Sequence, residues 1–316
     1  MWLHLLALLV FILLYRWYRN SLTLENLSDE YVLITGCDSG FGNQLAKRLD
    51  KRGMRVMATC LTVQGAENLK KETSSRLQTV ILDIADSNSV QSAAKWVSDV
   101  LHEKGLWGLV NNAGTGMPGA PNEWLSRDDF GRILNVNLLG PIDVTLRLLP
   151  LIRKSKGRIV NVSSIVGRVT ICGGGYCVSK FGVEAFSDSL RREMKPFGVQ
   201  VSIIEPGYFK TGLNNMQSMK DTLRTIWRNV HPEIRYSYGE KYFKDYVCDM
   251  EKTFLSLCNT DLTPVTDCME HALTAVYPKT RYSAGWDAKL FFIPISYIPT
   301  VLADCLLTWS APTPAH

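Results

Sequence analysis

Tyr176 and Lys180 stand four residues apart within the stretch R-I-V-N-V-S-S-I-V-G-R-V-T-I-C-G-G-G-Y-C-V-S-K, residues 158–180. On a helix that spacing puts both side chains on one face, so a lysine ammonium can lie beside a phenol oxygen. A free phenol titrates near ~10, whereas a general base useful at neutral pH should titrate near ~7, a gap worth roughly 4 kcal/mol. A neighbouring cation favours the phenolate, which makes Lys180 the expected activator of Tyr176. Such a pair also arises by chance. Ser164 adds weight, because it ends an apolar run twelve residues earlier and ligands in open α/β sheets bind at strand ends.

The elements that must hold these groups are marked by apolar runs and glycine breaks. Ile159, Val160 and Val162 read as a buried strand, and the glycines at 173, 174 and 175 break the chain before a helix. Those glycines are either a plain turn or the space a bulky substrate needs. Earlier, residues 31–35 (Y-V-L-I-T) read as a strand, residues 35–42 (T-G-C-D-S-G-F-G) as a glycine turn and residues 43–52 as a helix. This plan cradles a phosphate. Gly36 permits the tight turn, Gly40 and Gly42 let backbone approach a pyrophosphate, and the helix N-terminus supplies N–H donors.

Further strands are expected at 55–59, 77–82 and 107–110. The end of the second carries Thr59 and Cys60, with neither an acid for ribose hydroxyls nor an arginine for a 2′-phosphate. Thr59 could still bond a ribose hydroxyl. Asp38, next to Ser39 in the glycine turn, would repel an added phosphate, which favours NAD over NADP. Asp83 ends the third strand, placed either to accept from an adenine amino group or to cap a helix. The fourth strand enters N-N-A-G (Asn111, Asn112, Ala113, Gly114), a small-residue turn where backbone can pass close to a ligand. Asn137 interrupts the apolar face of a helix that starts at Arg127; it is either a satisfied structural amide or a bulge that holds a water.

A chain of 316 residues with 46% hydrophobic content can bury a large core, and the absence of repeats and low-complexity linkers favours a single domain. The net charge of +5 is modest and forms no basic stripe, so nucleic acid is not an expected partner. The eight cysteines lack paired metal-ligand spacing and suit reduced thiols used as small apolar fillers. Residues 2–15 are almost wholly apolar and are followed by Arg16, Trp17, Tyr18 and Arg19. They read as an uncleaved membrane anchor over residues 1–19, with a cleaved signal peptide and a buried core helix as the rivals, and the arginine collar favours a catalytic domain on the cytosolic face. Residues 291–316 begin apolar and aromatic, but Pro294 and Pro299 rule against one straight spanning helix there. That segment either lies on a bilayer, roofs a pocket or is an ordinary buried end.

Taken together, T-G-C-D-S-G-F-G, N-N-A-G, Asn137, Ser164, Y-C-V-S-K and P-G-Y-F-K-T (residues 206–211) resemble the short-chain dehydrogenase/reductase family over about residues 30–290. The resemblance implies an α/β fold, one Rossmann-type doubly wound parallel sheet of about seven strands, with NAD(P) at its carboxyl edge. It implies Tyr176 as the acid/base, Lys180 as the residue that lowers its pKa and holds the nicotinamide ribose, Ser164 as the orienter of substrate oxygen and Asn137 as the holder of a relay water. It assigns the cofactor to Gly36, Asp38, Ser39, Gly40, Gly42, Thr59, Asp83, Asn111, Ala113, Gly114, Pro206, Gly207 and Thr211, beside Tyr176 and Lys180, with no metal.

More narrowly, G-L-W-G-L-V-N-N-A-G, G-G-G-Y-C-V-S-K-F-G-V-E-A-F-S-D-S-L-R-R-E, T-D-C-M-E-H-A-L and R-Y-S-A-G-W-D-A-K are similar to membrane-bound retinol dehydrogenases and their 3α- and 17β-hydroxysteroid dehydrogenase relatives. That similarity implies NAD-dependent oxidation of a retinoid or steroid alcohol at the endoplasmic reticulum membrane, with specificity decided in a substrate loop at about 208–261. An NADPH-dependent retinal or ketosteroid reductase and a non-catalytic membrane-anchored binding protein are the alternatives. A homodimer is left open.

Overall fold

The computed structural model describes residues 2–116, 119–212, 215–309 and 311–315. In chain order the elements are α1 (Trp2–Ser21), β1 (Tyr31–Ile34), α2 (Gly40–Lys51), β2 (Arg55–Cys60), α3 (Val63–Lys71), β3 (Gln78–Ile81), α4 (Ser87–Leu101), β4 (Gly108–Asn111), α5 (Arg127–Leu134), α6 (Gly140–Lys154), β5 (Arg158–Val162), α7 (Gly175–Met194), β6 (Gln200–Pro206), α8 (Met216–Asn229), α9 (Pro232–Leu257), α10 (Thr263–Thr274), β7 (Arg281–Ala284), α11 (Ile293–Ile295) and α12 (Thr300–Thr308).

The seven strands form one parallel sheet in the order β3-β2-β1-β4-β5-β6-β7. Strand side chains alternate between faces, and each face has its own helical cover. Val32, Ile34 and Val56 pack with Leu45 and Leu49 of α2 and Met269 and Leu273 of α10. Leu33, Leu109 and Ile159 pack oppositely, with Val97 and Leu101 of α4, Leu148 and Ile152 of α6 and Leu190 of α7. Strand order reverses between β1 and β4, which opens a crevice at the carboxyl ends of those strands.

A file of polar side chains crosses the second of these cores. Asn111 Nδ2 donates to Thr145 Oγ1 and to Asn161 Oδ1, both at 2.8 Å. Asn161 Nδ2 in turn donates to Ser187 Oγ at 2.8 Å, and that hydroxyl donates to the Val183 carbonyl. All four side chains are buried, so the file locks β4 and β5 to α6 and α7.

Residues between β6 and α10 leave the sheet and return to it. Asn259 pairs with Phe209 in an isolated parallel bridge, so α8 and α9 hang from a closed base. Gly239, at φ 81°, breaks α9 into two limbs. Trp227, Tyr238, Tyr242, Phe243 and Tyr246 of this insert build an aromatic core around Trp124, which comes from the segment before α5. After β7, a π turn at Ala288–Phe292 runs into α11 through Pro294 and the helical run breaks before Pro299; Ala288, Phe292, Ile295 and Ala303 bury one face against Ile165, Val166 and Val169. The opposite face leaves Leu290, Tyr297, Val301, Leu302 and Trp309 exposed.

α1 is 20 residues long, with no buried residue. It meets the domain at the amino-terminal edge of the sheet, away from the crevice. There the Asn20 carbonyl and the Tyr282 hydroxyl bracket the two ring nitrogens of His271 at 2.8 Å each, and the Arg19 guanidinium lies 4.3 Å above the Tyr277 ring. Leu24 donates its N–H to the Thr274 carbonyl and Val276 donates its N–H to the Leu22 carbonyl.

Several strand ends shift by one residue from the sequence reading, and two further boundaries bear on the site. α2 starts at Gly40 rather than residue 43, so Gly40 and Gly42 belong to its first turn, where missing Cβ atoms let the helix start close to the strands. The third strand spans only Gln78–Ile81, because Leu82 already enters the turn stabilised by Asp83. The polar file yields a test of the fold. Asn161→Ala strands the Asn111 amide and Ser187, and is expected to cost about 2 kcal/mol. A thermal melt within about 1 °C of the parent would show that the file contributes nothing.

Candidate active site

The crevice is built by two turns held against each other. Gly36, at φ 72°, turns the chain after β1, and a Cβ there would meet Ala113 Cα at 2.7 Å. A Cβ on Gly42 would sit 2.5 Å from both the Asn112 side-chain amide and the Gly36 carbonyl. The clamp between the turns is Asn112, whose Nδ2 donates to the Thr35 carbonyl at 2.9 Å and to the Gly36 carbonyl at 3.1 Å. Thr35 Oγ1 accepts from the N–H groups of Asn112 and Ala113, both at 3.0 Å. Ser39 is the N-cap of α2 but makes no side-chain cap bond, so it does not satisfy the first N–H groups of the helix. This cradle fits the pyrophosphate of a nicotinamide dinucleotide. Thr211 stands across it, its Cβ 3.5 Å from where Gly40 would carry one.

Asp38 is fixed at the end of β2. Its carboxylate accepts from the N–H groups of Leu61 at 2.8 Å and Thr62 at 3.0 Å, and from the Thr62 hydroxyl at 2.7 Å. A negative charge therefore lies where the chain leaves the second strand. Thr59 is buried within β2, and its carbonyl accepts from the Cys37 N–H. Asp83 is exposed in the turn after β3, its Oδ1 accepting from the Ala85 N–H, while Asp86 is the N-cap of α4. Asn111 turns its side chain into the core, which leaves its backbone for any ligand contact.

At the ends of β5 and β6, Ser164 Oγ lies 3.4 Å from the Pro206 carbonyl and accepts from the Val166 N–H. The same hydroxyl acts on the Tyr176 phenol, favouring its deprotonated form. Lys180 Nζ donates to the Val162 carbonyl at 2.9 Å and sits 5.6 Å from the centre of the Tyr176 ring. Asn137 occupies a π-helical turn, Asn135–Leu139, between α5 and α6. That bulge swings its amide inward, where Oδ1 accepts from the Thr115 N–H and Nδ2 donates to the Thr115 carbonyl, both at 2.8 Å. Gly114 passes close by, since a Cβ there would lie 3.3 Å from Asn137 Oδ1.

Burial dominates the protonation equilibria. It pushes the Tyr176 phenol up to about 12; the Ser164 hydrogen bond opposes this, and Cys172 and Cys177 add to it. The sequence reading has Lys180 pull the phenol down; in the structure burial is the larger influence on the phenol. Burial likewise lowers the Lys180 ammonium to about 8, against an opposing contribution from Glu184. Glu184 is itself raised to about 7 by burial, despite Ser163 and the Arg281 guanidinium.

Several supporting residues escape a reading by motif. Thr35 and Asn112 could have been suspected, because adjacent asparagines at a strand end must face opposite sides. Asp287 had no such signal: it is buried, its Oδ2 accepts from the Tyr208 N–H at 2.7 Å, and it fills the space beside Gly207, whose own N–H donates to the Ala284 carbonyl. Among the described residues no group of His, Cys, Asp and Glu could hold a metal ion.

The chain matches the short chain dehydrogenase family over residues 30–222. It is 55% identical to retinol dehydrogenase 7 of Rattus norvegicus over 316 residues, covering 100% of this chain and 99% of that protein. It is equally 55% identical, with the same coverage, to 17-beta-hydroxysteroid dehydrogenase type 6 of Homo sapiens. Among solved structures, a short-chain dehydrogenase from Streptomyces avermitilis superposes with a TM-score of 0.69 at 23% identity, covering 89% of this chain and 96% of that one.

Lys180 gives a pH test. A lysine lowered from 10.5 to about 8 on folding contributes stability that is fully present above its unfolded pKa and is lost as pH falls through about 8. In Lys180→Met the melting temperature is expected to depend less on pH across that window than in the parent. An unchanged slope would place the titrating group elsewhere.

Proposed function

We propose that this chain, which belongs to the short-chain dehydrogenase family, oxidises the carbinol of a lipophilic alcohol, a retinol or a hydroxysteroid, with NAD as the hydride acceptor. The observation that carries this reading is the convergence of Ser164, Tyr176 and Lys180 at the carboxyl edge of the sheet, beside the glycine cradle. Full-length similarity to proteins named retinol dehydrogenase and 17-beta-hydroxysteroid dehydrogenase supports the substrate class.

When bound, the nicotinamide supplies the hydride acceptor. The residues of this chain fix distance and move the proton. Ser164 orients the substrate oxygen through its hydroxyl, and Tyr176 Oη receives the proton as the carbon–hydrogen bond breaks. Lys180, held by the Val162 carbonyl, would hold the nicotinamide ribose, and Asn137, held by Thr115, would hold a relay water for the proton. The same groups run in reverse. A phenol pushed up to about 12 keeps its proton at neutral pH, so it also suits donation to a carbonyl in the reverse direction.

The charge of Asp38 at the end of β2 supports NAD over NADP. α1, apolar and without a buried residue, supports a membrane anchor, with the catalytic domain on the cytosolic face of the endoplasmic reticulum.

Tyr176→Phe deletes only the proton acceptor. We expect oxidation of a retinol or a 3α-hydroxysteroid to fall by roughly 10²-fold or more, with NAD binding nearly intact. Turnover within about tenfold of the parent would refute the assignment. Asp38→Asn is expected to narrow the preference for NAD in initial rates, and an unchanged NAD/NADP ratio would show that this carboxylate does not read the ribose. An N-glycosylation sequon placed in an exposed loop of the domain should stay unmodified in microsomes; acquisition of a glycan would put the domain in the lumen.

A further inference from the structure

Cys172 and Cys177 flank the glycines at 173, 174 and 175 and Tyr176, and their sulfurs lie 3.6 Å apart. Cys177 is buried in the first turn of α7, where helix N–H groups favour an anionic sulfur, while Cys172 is open to solvent. The contact between the sulfurs lowers the Cys177 thiol to about 6 and raises Cys172, and Cys177 Sγ also lies 3.3 Å from the Cys172 carbonyl. The two sulfurs are close enough for one to react and the other to resolve, and the direction of the shifts favours Cys177 as the first. Neither thiol has a part in the proton transfer described above.

We propose that Cys172 and Cys177 are a thiol-modification site that a hydroperoxide closes into a disulfide, and that closure withdraws Tyr176 from Ser164 and stops turnover. The Cys177 thiolate attacks a peroxide oxygen, the O–O bond breaks, and with one proton water leaves a sulfenic acid. The Cys172 thiol then displaces the sulfenic oxygen as a second water, forming the S–S bond. In sum two thiols and hydrogen peroxide give one disulfide and two waters; the pair loses two electrons and the peroxide gains them.

An S–S bond of ~2.05 Å requires the sulfurs to approach by about 1.6 Å. The chain between them has little slack. A Cβ on Gly173 would fall 2.4 Å from the Ala120 carbonyl and one on Gly175 would fall 2.9 Å from Ile133 Cβ, so both glycines are wedged against neighbours. Gly174, at φ 93°, is the position left to absorb the change, and Tyr176 lies directly between it and Cys177.

The experiment uses the full chain in detergent micelles, treated with hydrogen peroxide, quenched with an alkylating reagent and mapped by mass spectrometry. The mapping needs no substrate, so a wrong substrate assignment and a failed linkage give different results. The expected outcome is a Cys172–Cys177 cross-linked peptide, a fall in rate of at least about tenfold and recovery with dithiothreitol. Cys172→Ser and, as a second variant, Cys172→Ala should each keep most of their own untreated rate after peroxide. The proposal is overturned if the cross-link is absent at a dose that oxidises the exposed Cys248 and Cys305, if it forms without loss of rate, or if both variants are inactivated like the parent.

Discussion

The seam between β1 and β4 is the constraint on which the rest of the site depends. Parallel strands there must stay in register while their connections diverge to opposite sides, so the two turns beyond them have no continuous chain in common. Asn112 and Thr35 supply the missing link, through side-chain bonds of 2.9 to 3.1 Å to backbone on the other turn. Gly36 and Gly42 are then obligatory, since either Cβ would occupy the space those bonds need. The glycine turn is usually credited with room for a phosphate. In this chain the same absence of side chains also permits the clamp that holds the two sides of the crevice together.

Most of this was readable before any coordinates. Apolar runs marked the first five strands but not β6 or β7, and the joint pattern of glycine turn, N-N-A-G, Ser164, Tyr176 and Lys180 pointed to one crevice because residues at successive strand ends converge in a parallel sheet. Asn137 shows the limit of such reading. The sequence leaves it either a satisfied structural amide or a bulge that holds a water; the helix does bulge at Asn135–Leu139 and Thr115 satisfies the amide, while the water belongs to the proposed function. Burial was not readable. The expected effect of Lys180 on Tyr176 follows from helical spacing, but the direction found depends on how deeply both groups are desolvated, which spacing does not encode. Asp287 was missed for a similar reason: its partner Tyr208 lies 79 residues away.

Buried charge also connects the site to the end of the chain. Glu184, one helical turn beyond Lys180, meets Arg281 at 3.1 Å; Arg281 reaches Glu205, and Glu205 binds Arg168 at 3.0 Å. Arg168 donates to the Tyr297 hydroxyl at 2.8 Å. Charges this deeply buried are tolerated because each is paired, and removing one would leave its neighbour unpaired. The C-terminal apolar segment is therefore both packed against the site and tied into the ionic file behind Lys180. The bond to Tyr297 thus pins the outward face of the segment, on which Leu290, Val301 and Trp309 stay exposed.

The joint beneath α1 works differently from a flexible tether. His271 grips the last turn of the helix through Asn20 while its other nitrogen holds Tyr282 of β7, and residues 22–24 run straight on into bonds with Thr274 and Val276. No loose linker separates the helix from the sheet. Rotation of the domain about the axis of α1 would break these bonds, so the helix behaves as a handle rather than a leash. Whatever fixes the attitude of α1 also fixes the compass bearing of the crevice, and lengthening the chain at residues 21–24 would free one from the other without touching a residue near Tyr176.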